Sequence, residues 1–163
     1  MSAFDANAER SEQGLDLAYW ALRIGLGVAM LAAGVDKFFD KLTTWSMYVS
    51  PLAERLLPVP PETFLRIAGV FEALIGLAVL SRFTRLGAAV LSLWLLGIVA
   101  NLAAAGSFWD LAMRDLEVAI AAFALGRLAA WRAAHAPEGR RHGVSPHDPK
   151  SWADLPPRTR STT

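Results

Sequence analysis

Glu72 is the residue whose chemistry most needs an explanation. It lies at the centre of Phe64–Leu80, with at least five uncharged and mostly apolar residues on either side. At the middle of a membrane helix an ionisable group costs about 2.5–3.5 kcal/mol on an insertion scale. The chain must either give this carboxylate a partner or hold it protonated. So placed, it can pass protons, orient a polar headgroup, or lock two helices through an ion pair. The partner the sequence offers is Arg23. Counted inward at 1.5 Å per residue, Arg23 lies about 9 Å and Glu72 about 13–14 Å from the same membrane edge. An arginine side chain spans that difference, so the spacing predicts an Arg23–Glu72 pair. Gly27, four residues from Arg23, and Gly69 and Gly76, at i−3 and i+4 of Glu72, let two helices approach or leave a pocket beside the charges.

A second polar set gathers towards the opposite edge: Arg66, Asn101, Asp110, Arg114, Asp115 and Glu117, with Asp36 and Lys37. Asp110–Arg114 and Arg114–Glu117 have the i,i+4 and i,i+3 spacings of helical ion pairs. Most of this set reads as solvated or interfacial. Asn101 and Glu117 are the deepest and are expected to face inwards. The candidate intramembrane site is therefore Arg23, Glu72, Asn101 and Glu117, with Lys37, Arg66, Arg114 and Asp115 as secondary candidates.

The elements that must position these residues are long apolar helices. Of the 163 residues 54% are hydrophobic and only 19% charged, a balance shifted from soluble domains towards membrane proteins. A bilayer core of about 30 Å needs about 20 apolar residues per helix. Four segments qualify, at about 17–39, 63–81, 85–106 and 109–131, which predicts an all-α, integral membrane four-helix bundle. Residues 1–16 read as a polar segment at the surface, and 132–163, rich in Pro, Gly, Arg, Ser and Thr, as a disordered tail whose one large anchor is Trp152. Between the first two spans, Trp45, Tyr48, Val49, Leu52 and Leu56 recur at helical spacing, so part of Asp40–Thr63 is expected to be an interfacial helix, either a cap or a lid over an entry to the bundle. Pro61 suits the first turn of the next helix, and Ser107 with Asp110 suits the cap of the last.

Four spans put both termini on one side. That side collects Arg10, Arg82, Arg85, Arg132 and the cations of the tail, against Lys37, Lys41, Arg55 and Arg114 opposite. The excess predicts that both termini lie in the cytoplasm, and the expected location is a bacterial or archaeal cytoplasmic membrane. The net charge of +1 offers no basic face for nucleic acid. There is no cysteine, which excludes disulfides, thiol relays, thiolate zinc and cysteine-ligated iron–sulfur clusters. The three histidines, His135, His142 and His147, all follow the last helix, so no span offers a histidine to a haem. Any electron carrier must diffuse in or belong to a partner.

Leu22–Gly27 (L-R-I-G-L-G) followed by A-A-G-V-D-K-F in the first helix resembles the start of DoxX-family membrane proteins. So do G-V-F-E-A-L-I-G-L-A-V-L and R-F-T-R-L-G-A across the second and third helices, and the acidic residue near the outer end of the fourth, in Arg114-Asp115-Leu116-Glu117. The resemblance covers roughly residues 17–131. It implies a four-helix membrane bundle in which Arg23, Lys37, Glu72 and Glu117 match the family's recurring polar positions. Relatives are linked to a membrane thiosulfate:quinone oxidoreductase or to the maturation of redox enzymes. The expectation is an accessory membrane subunit rather than a stand-alone enzyme. It would sit in the lipid bilayer beside redox partner proteins or as a homo-oligomer, with quinone as the candidate ligand and no metal or covalent cofactor. The alternatives are a non-enzymatic scaffold or assembly factor and, with less support, a small-solute transporter.

Overall fold

The computed structural model describes residues 3–56 and 58–135. Among them every regular element is helical and there is no strand. The helices are α1 (Ala3–Asp36), α2 (Pro51–Leu56), α3 (Pro61–Leu80), α4 (Thr84–Ala105) and α5 (Trp109–Ala134), with a 3-10 turn at Trp45–Tyr48. Stretches within α1 (Arg10–Asp36), α3 and α4 are long and apolar enough to cross a membrane. α5 carries six charged residues, Asp110, Arg114, Asp115, Glu117, Arg127 and Arg132, and does not reach that standard as a whole. From residue 136 on, the tail and Trp152 lie outside the described residues.

α1 starts much earlier than Leu17. Ala3, Ala6, Ala8, Glu9, Arg10, Glu12 and Gln13 are good helix formers with no proline among them, so the helix nucleated by the apolar run continues outwards. Its 34 residues make a rod of roughly 50 Å, well beyond the roughly 30 Å core of a bilayer. The polar N-terminal turns are the part left over. The other end stops at Asp36 because the chain turns: Phe39 and Asp40 both donate to the Asp36 carbonyl, at 2.9 and 2.8 Å. Asp40 takes the left-handed conformation, with φ 47°, that a short polar side chain tolerates.

Instead of one interfacial helix, residues 45–56 form the 3-10 turn and the short α2, divided where Ser50 caps α2 through its hydroxyl to the Ala53 N–H at 3.1 Å. Leu52 and Leu56 are exposed, while Trp45 and Tyr48 turn partly inwards. The cap of α5 also differs from the expectation. Phe108 holds the cap position without a side-chain bond, and the Ser107 hydroxyl points back to the Ala105 carbonyl at 3.3 Å. α4 has already ended at Gly106, whose φ of 73° breaks the helix, so Ser107 belongs to that ending and not to the next beginning.

The four long helices touch in a closed series, α1 with α3, α3 with α4, α4 with α5, and α5 with α1. Between them lies a core of Tyr19, Met30, Ile75, Val79, Ala88, Leu91, Leu95, Ala119, Ala122 and Leu125. The outward faces are also apolar, with Val28, Leu74, Leu77, Leu93, Ile120 and Phe123 among the exposed side chains. Apolar residues on both sides of a helix are the pattern of a lipid-facing one. Glycines bring α1 and α3 to backbone contact. A Cβ on Gly27 would lie 3.4 Å from the Gly76 carbonyl, and one on Gly34 would lie 2.5 Å from the Gly69 carbonyl. The two helices run antiparallel through these contacts, seven residues forward on α1 matching seven back on α3.

A candidate polar site between Lys37, Glu72 and Trp94

The glycine register decides which charges meet. Continued from Gly27 opposite Gly76, it sets Arg23 level with Leu80 and Glu72 level with Leu31, about 12 Å apart along α1. Arg23 and Glu72 therefore do not pair. The expectation took Leu17 as level with Ser81, whereas α1 extends past the end of α3 and Arg23 is the residue level with it. The Arg23 guanidinium instead closes α3. Its Nε donates to the Val79 carbonyl at 3.1 Å and its Nη2 to those of Leu80 and Ser81, both at 2.7 Å, while Nη1 reaches the Tyr19 hydroxyl at 3.2 Å. A cation on carbonyls without intrahelical partners satisfies those acceptors and opposes the helix dipole. Arg23→Gln should lower stability by roughly 1.5–3 kcal/mol, the range for hydrogen bonds to a charged group. Thermal unfolding in detergent checks this, and an unchanged transition would remove Arg23 from that role.

Glu72 takes Lys37. The Lys37 ammonium lies 2.5 Å from Oε2, the carboxylate is only 2% exposed, and the lysine side chain only 7%. The second oxygen, Oε1, accepts the indole N–H of Trp94 from α4 at 3.0 Å. Lys37 starts one residue beyond α1 and reaches down towards the middle of α3. Gly69 makes this path: a Cβ there would sit 3.0 Å from the Lys37 Cβ. Phe71 packs edge-on against Trp94, with centroids 4.9 Å apart, and steadies the indole.

The loop after α1 roofs this pair. Trp45 places its ring 3.5 Å from the Lys37 ammonium and donates its indole N–H to Asp36 Oδ2 at 2.9 Å. Asp36, itself buried, also accepts the backbone N–H groups of Lys41 and Leu42 at 3.0–3.1 Å, and so shapes the turn that carries Trp45. Asn101 holds the next stretch. Its amide donates to the Tyr48 carbonyl at 2.7 Å and accepts the Ser50 N–H at 3.2 Å. Asn101 thus faces inwards but serves the roof and does not touch Glu72. Tyr48 in turn packs edge-on against Trp45 and Phe108.

α5 contributes a different acid from the one expected. Glu117 is exposed, and it is Asp115 that is partly buried. The inward stripe of α5 runs through Ala112, Ala119 and Ala122. Asp115 falls on that stripe, whereas Glu117, two residues on, is turned about 200° away. Asp115 lies within electrostatic reach of both Glu72 and Lys37. Arg114 approaches Asp115 at 3.8 Å from an exposed position. This contact stands in place of the expected Asp110–Arg114 and Arg114–Glu117 pairs. Arg66 is exposed and outside the cluster.

Sequence reasoning thus named Glu72 and, among its secondary candidates, Lys37 and Asp115. It gave Trp94 no role, and it missed the Asp36–Trp45 roof. The signal available for the pairing was the matched spacing of Gly27 and Gly34 with Gly76 and Gly69. Asp36 and Trp45, nine residues apart across a turn, carry no periodic signal.

A family model described as DoxX matches residues 18–105. No curated protein and no solved structure matches the chain. The matched segment takes in Arg23, Lys37, Glu72, Trp94 and Asn101 and leaves out α5 and Asp115. It spans more than half of the chain, taking in α3, α4 and most of the apolar stretch of α1, and on this ground the protein belongs to the DoxX family and is an integral membrane protein.

Proposed function

We propose that the protein is a small membrane subunit that works beside redox proteins, and that the Lys37–Glu72–Trp94 cluster is the polar end of a quinone site. The observation that carries this is the donor set. A Lys ammonium and an indole N–H both converge on one carboxylate at membrane depth. A quinone carbonyl needs such donors, and the Lys37 ammonium, held in place by Glu72, has N–H groups beyond the one it gives the carboxylate. Trp45 above and Trp94 beside the pair offer aromatic surface to a flat ring, and Glu72 with Asp115 can take up protons that follow reduction. In this reading α5 is the fourth span of a four-helix bundle in a cytoplasmic membrane. The Asp16–Arg132 ion pair joins the N-terminal half of α1 to the end of α5 at the end that carries Arg82 and Arg85, which favours both termini on the cytoplasmic side.

The test is purification in mild detergent, with mass spectrometry of co-purifying quinones and titration with a short-chain ubiquinone. Wild type should bind, and Glu72→Gln should weaken binding by about tenfold, the size of one lost charge-assisted contact. Unchanged binding in the variant would take Glu72 out of the role.

A second reading, a non-enzymatic scaffold or assembly factor, is favoured by one observation: among the described residues every buried side-chain nitrogen and oxygen has a partner. That is what a pin holding helix register requires. Under it, Lys37→Met with Glu72→Leu would be tolerated, and partner proteins, not quinone, would co-purify.

A further inference from the structure

At the end of the molecule opposite the Lys37–Glu72 cluster, the α3–α4 turn forms an open concavity of about 380 Å³ lined by Arg82, Phe83, Arg85, Leu86 and Ala89. The floor is mostly apolar, yet two guanidinium groups flank it. Both arginines are exposed, and neither has a carboxylate partner among the described residues. Arg82 lies over the Phe83 ring at 4.9 Å, a contact that leaves all its N–H donors available. The 22-residue α4 begins at this point with no side-chain cap. Its first-turn N–H groups add positive potential to the same spot.

We propose that this concavity binds an anionic phospholipid. The headgroup phosphate is held by Arg82, Arg85 and the start of α4, and an acyl chain runs down over Leu86 and Ala89. Two features select a lipid over a free phosphate ion. The turn joins two helices fit to span the bilayer, so it lies at the level of the headgroups. The apolar floor continues onto the outward face of α4, where Leu86, Leu93 and Leu96 are exposed, and a free ion has no use for that surface. Charge complementarity selects an anionic over a zwitterionic headgroup, since basic residues at a membrane surface are attracted by net negative lipid charge. This site is independent of the quinone reading, because it shares no residue with that cluster.

Native mass spectrometry of the full-length protein, titrated in detergent with phosphatidylglycerol or phosphatidylcholine, tests the proposal. Wild type should retain one phosphatidylglycerol more tightly than phosphatidylcholine. Arg82→Gln with Arg85→Gln should weaken it by roughly tenfold or more, given a factor of about five per basic residue at such a surface. Both arginines are exposed, so the fold should survive, and an unchanged elution volume and helical circular dichroism would verify that. Lys41→Gln with Arg55→Gln, at the other end, should leave the affinity unaltered. Leu86→Gln should also weaken phosphatidylglycerol while sparing any binding of inorganic phosphate. Equal affinity for the two lipids, indifference to the arginine substitutions, or displacement of the lipid by millimolar inorganic phosphate would each overturn the proposal.

Discussion

Lys37→Met should destabilise the protein by about 3–5 kcal/mol, the range for removing one partner of a buried ion pair. The size follows from what remains. Glu72 is 2% exposed on a helix fit to span a membrane, and without Lys37 its Oε2 would have no counter-charge and no route to water. The Trp94 indole would still hold Oε1, but a single neutral donor does not offset a buried charge. Glu72→Leu alone should cost less, because the orphaned Lys37 is long enough for its ammonium to reorient towards the loop and the edge of the membrane. In the double variant, with no charge left, most of the loss should return. Trp94→Phe should fall between wild type and Lys37→Met, at about 1.5–3 kcal/mol for one hydrogen bond to a charged group. Unfolding of the four variants by denaturant in mixed micelles gives the comparison. If the double variant is as unstable as Lys37→Met, the cost lies in lost packing and not in the unpaired charge. The same variants bear on function: a double change that restores stability and still abolishes quinone binding separates the site from the pin.

What the sequence could convey about this site depended on what kind of information each part needed. That Glu72 must have a partner follows from its own apolar surroundings, and so could be read directly. Which residue serves depends on the axial register of two helices, and apolar composition is nearly blind to register. A segment slides by a turn or two within the membrane without changing its character, and one such slide moves a charge by several ångströms. Locating the edge of α1 at Leu17 was enough to choose Arg23 over Lys37. The polar start of the chain looked like surface and is helix, because polar residues with good helix propensity extend a helix that an apolar run has already nucleated. On α5 the difficulty was angular. Asp115 and Glu117 are equally acidic, and only the stripe of Ala112, Ala119 and Ala122 tells which one faces the core. The roof was out of reach for another reason. Asp36 shapes its turn by accepting backbone N–H groups five and six residues on, and an acid at the end of a helix looks the same whether it does this or simply meets water.

Gly34→Ala should be the most damaging single-methyl change in the protein, although alanine is the better helix former by nearly 1 kcal/mol. The added Cβ would lie 2.5 Å from the Gly69 carbonyl oxygen and 2.6 Å from the Ala73 nitrogen. Both are backbone atoms inside a helix and cannot swing aside, so α1 and α3 must separate. Overpacking of this kind costs about 1–3 kcal/mol and sometimes more, and in a membrane no hydrophobic force recloses the gap, because lipid fills it equally well. The separation should also reach the polar site. Lys37 descends past Gly69, three residues beyond the Gly34 contact, so parting the helices there draws its ammonium away from Glu72. Gly25→Ala and Gly97→Ala are the controls. A Cβ at either position meets nothing within 4 Å, so both should be neutral or slightly stabilising through their gain in helix propensity. The measurement is the thermal unfolding midpoint of the three variants in one detergent. A Gly34→Ala protein as stable as the two controls would mean that α1 and α3 do not meet in this register, and the Lys37–Glu72 pair, which depends on it, would fall too.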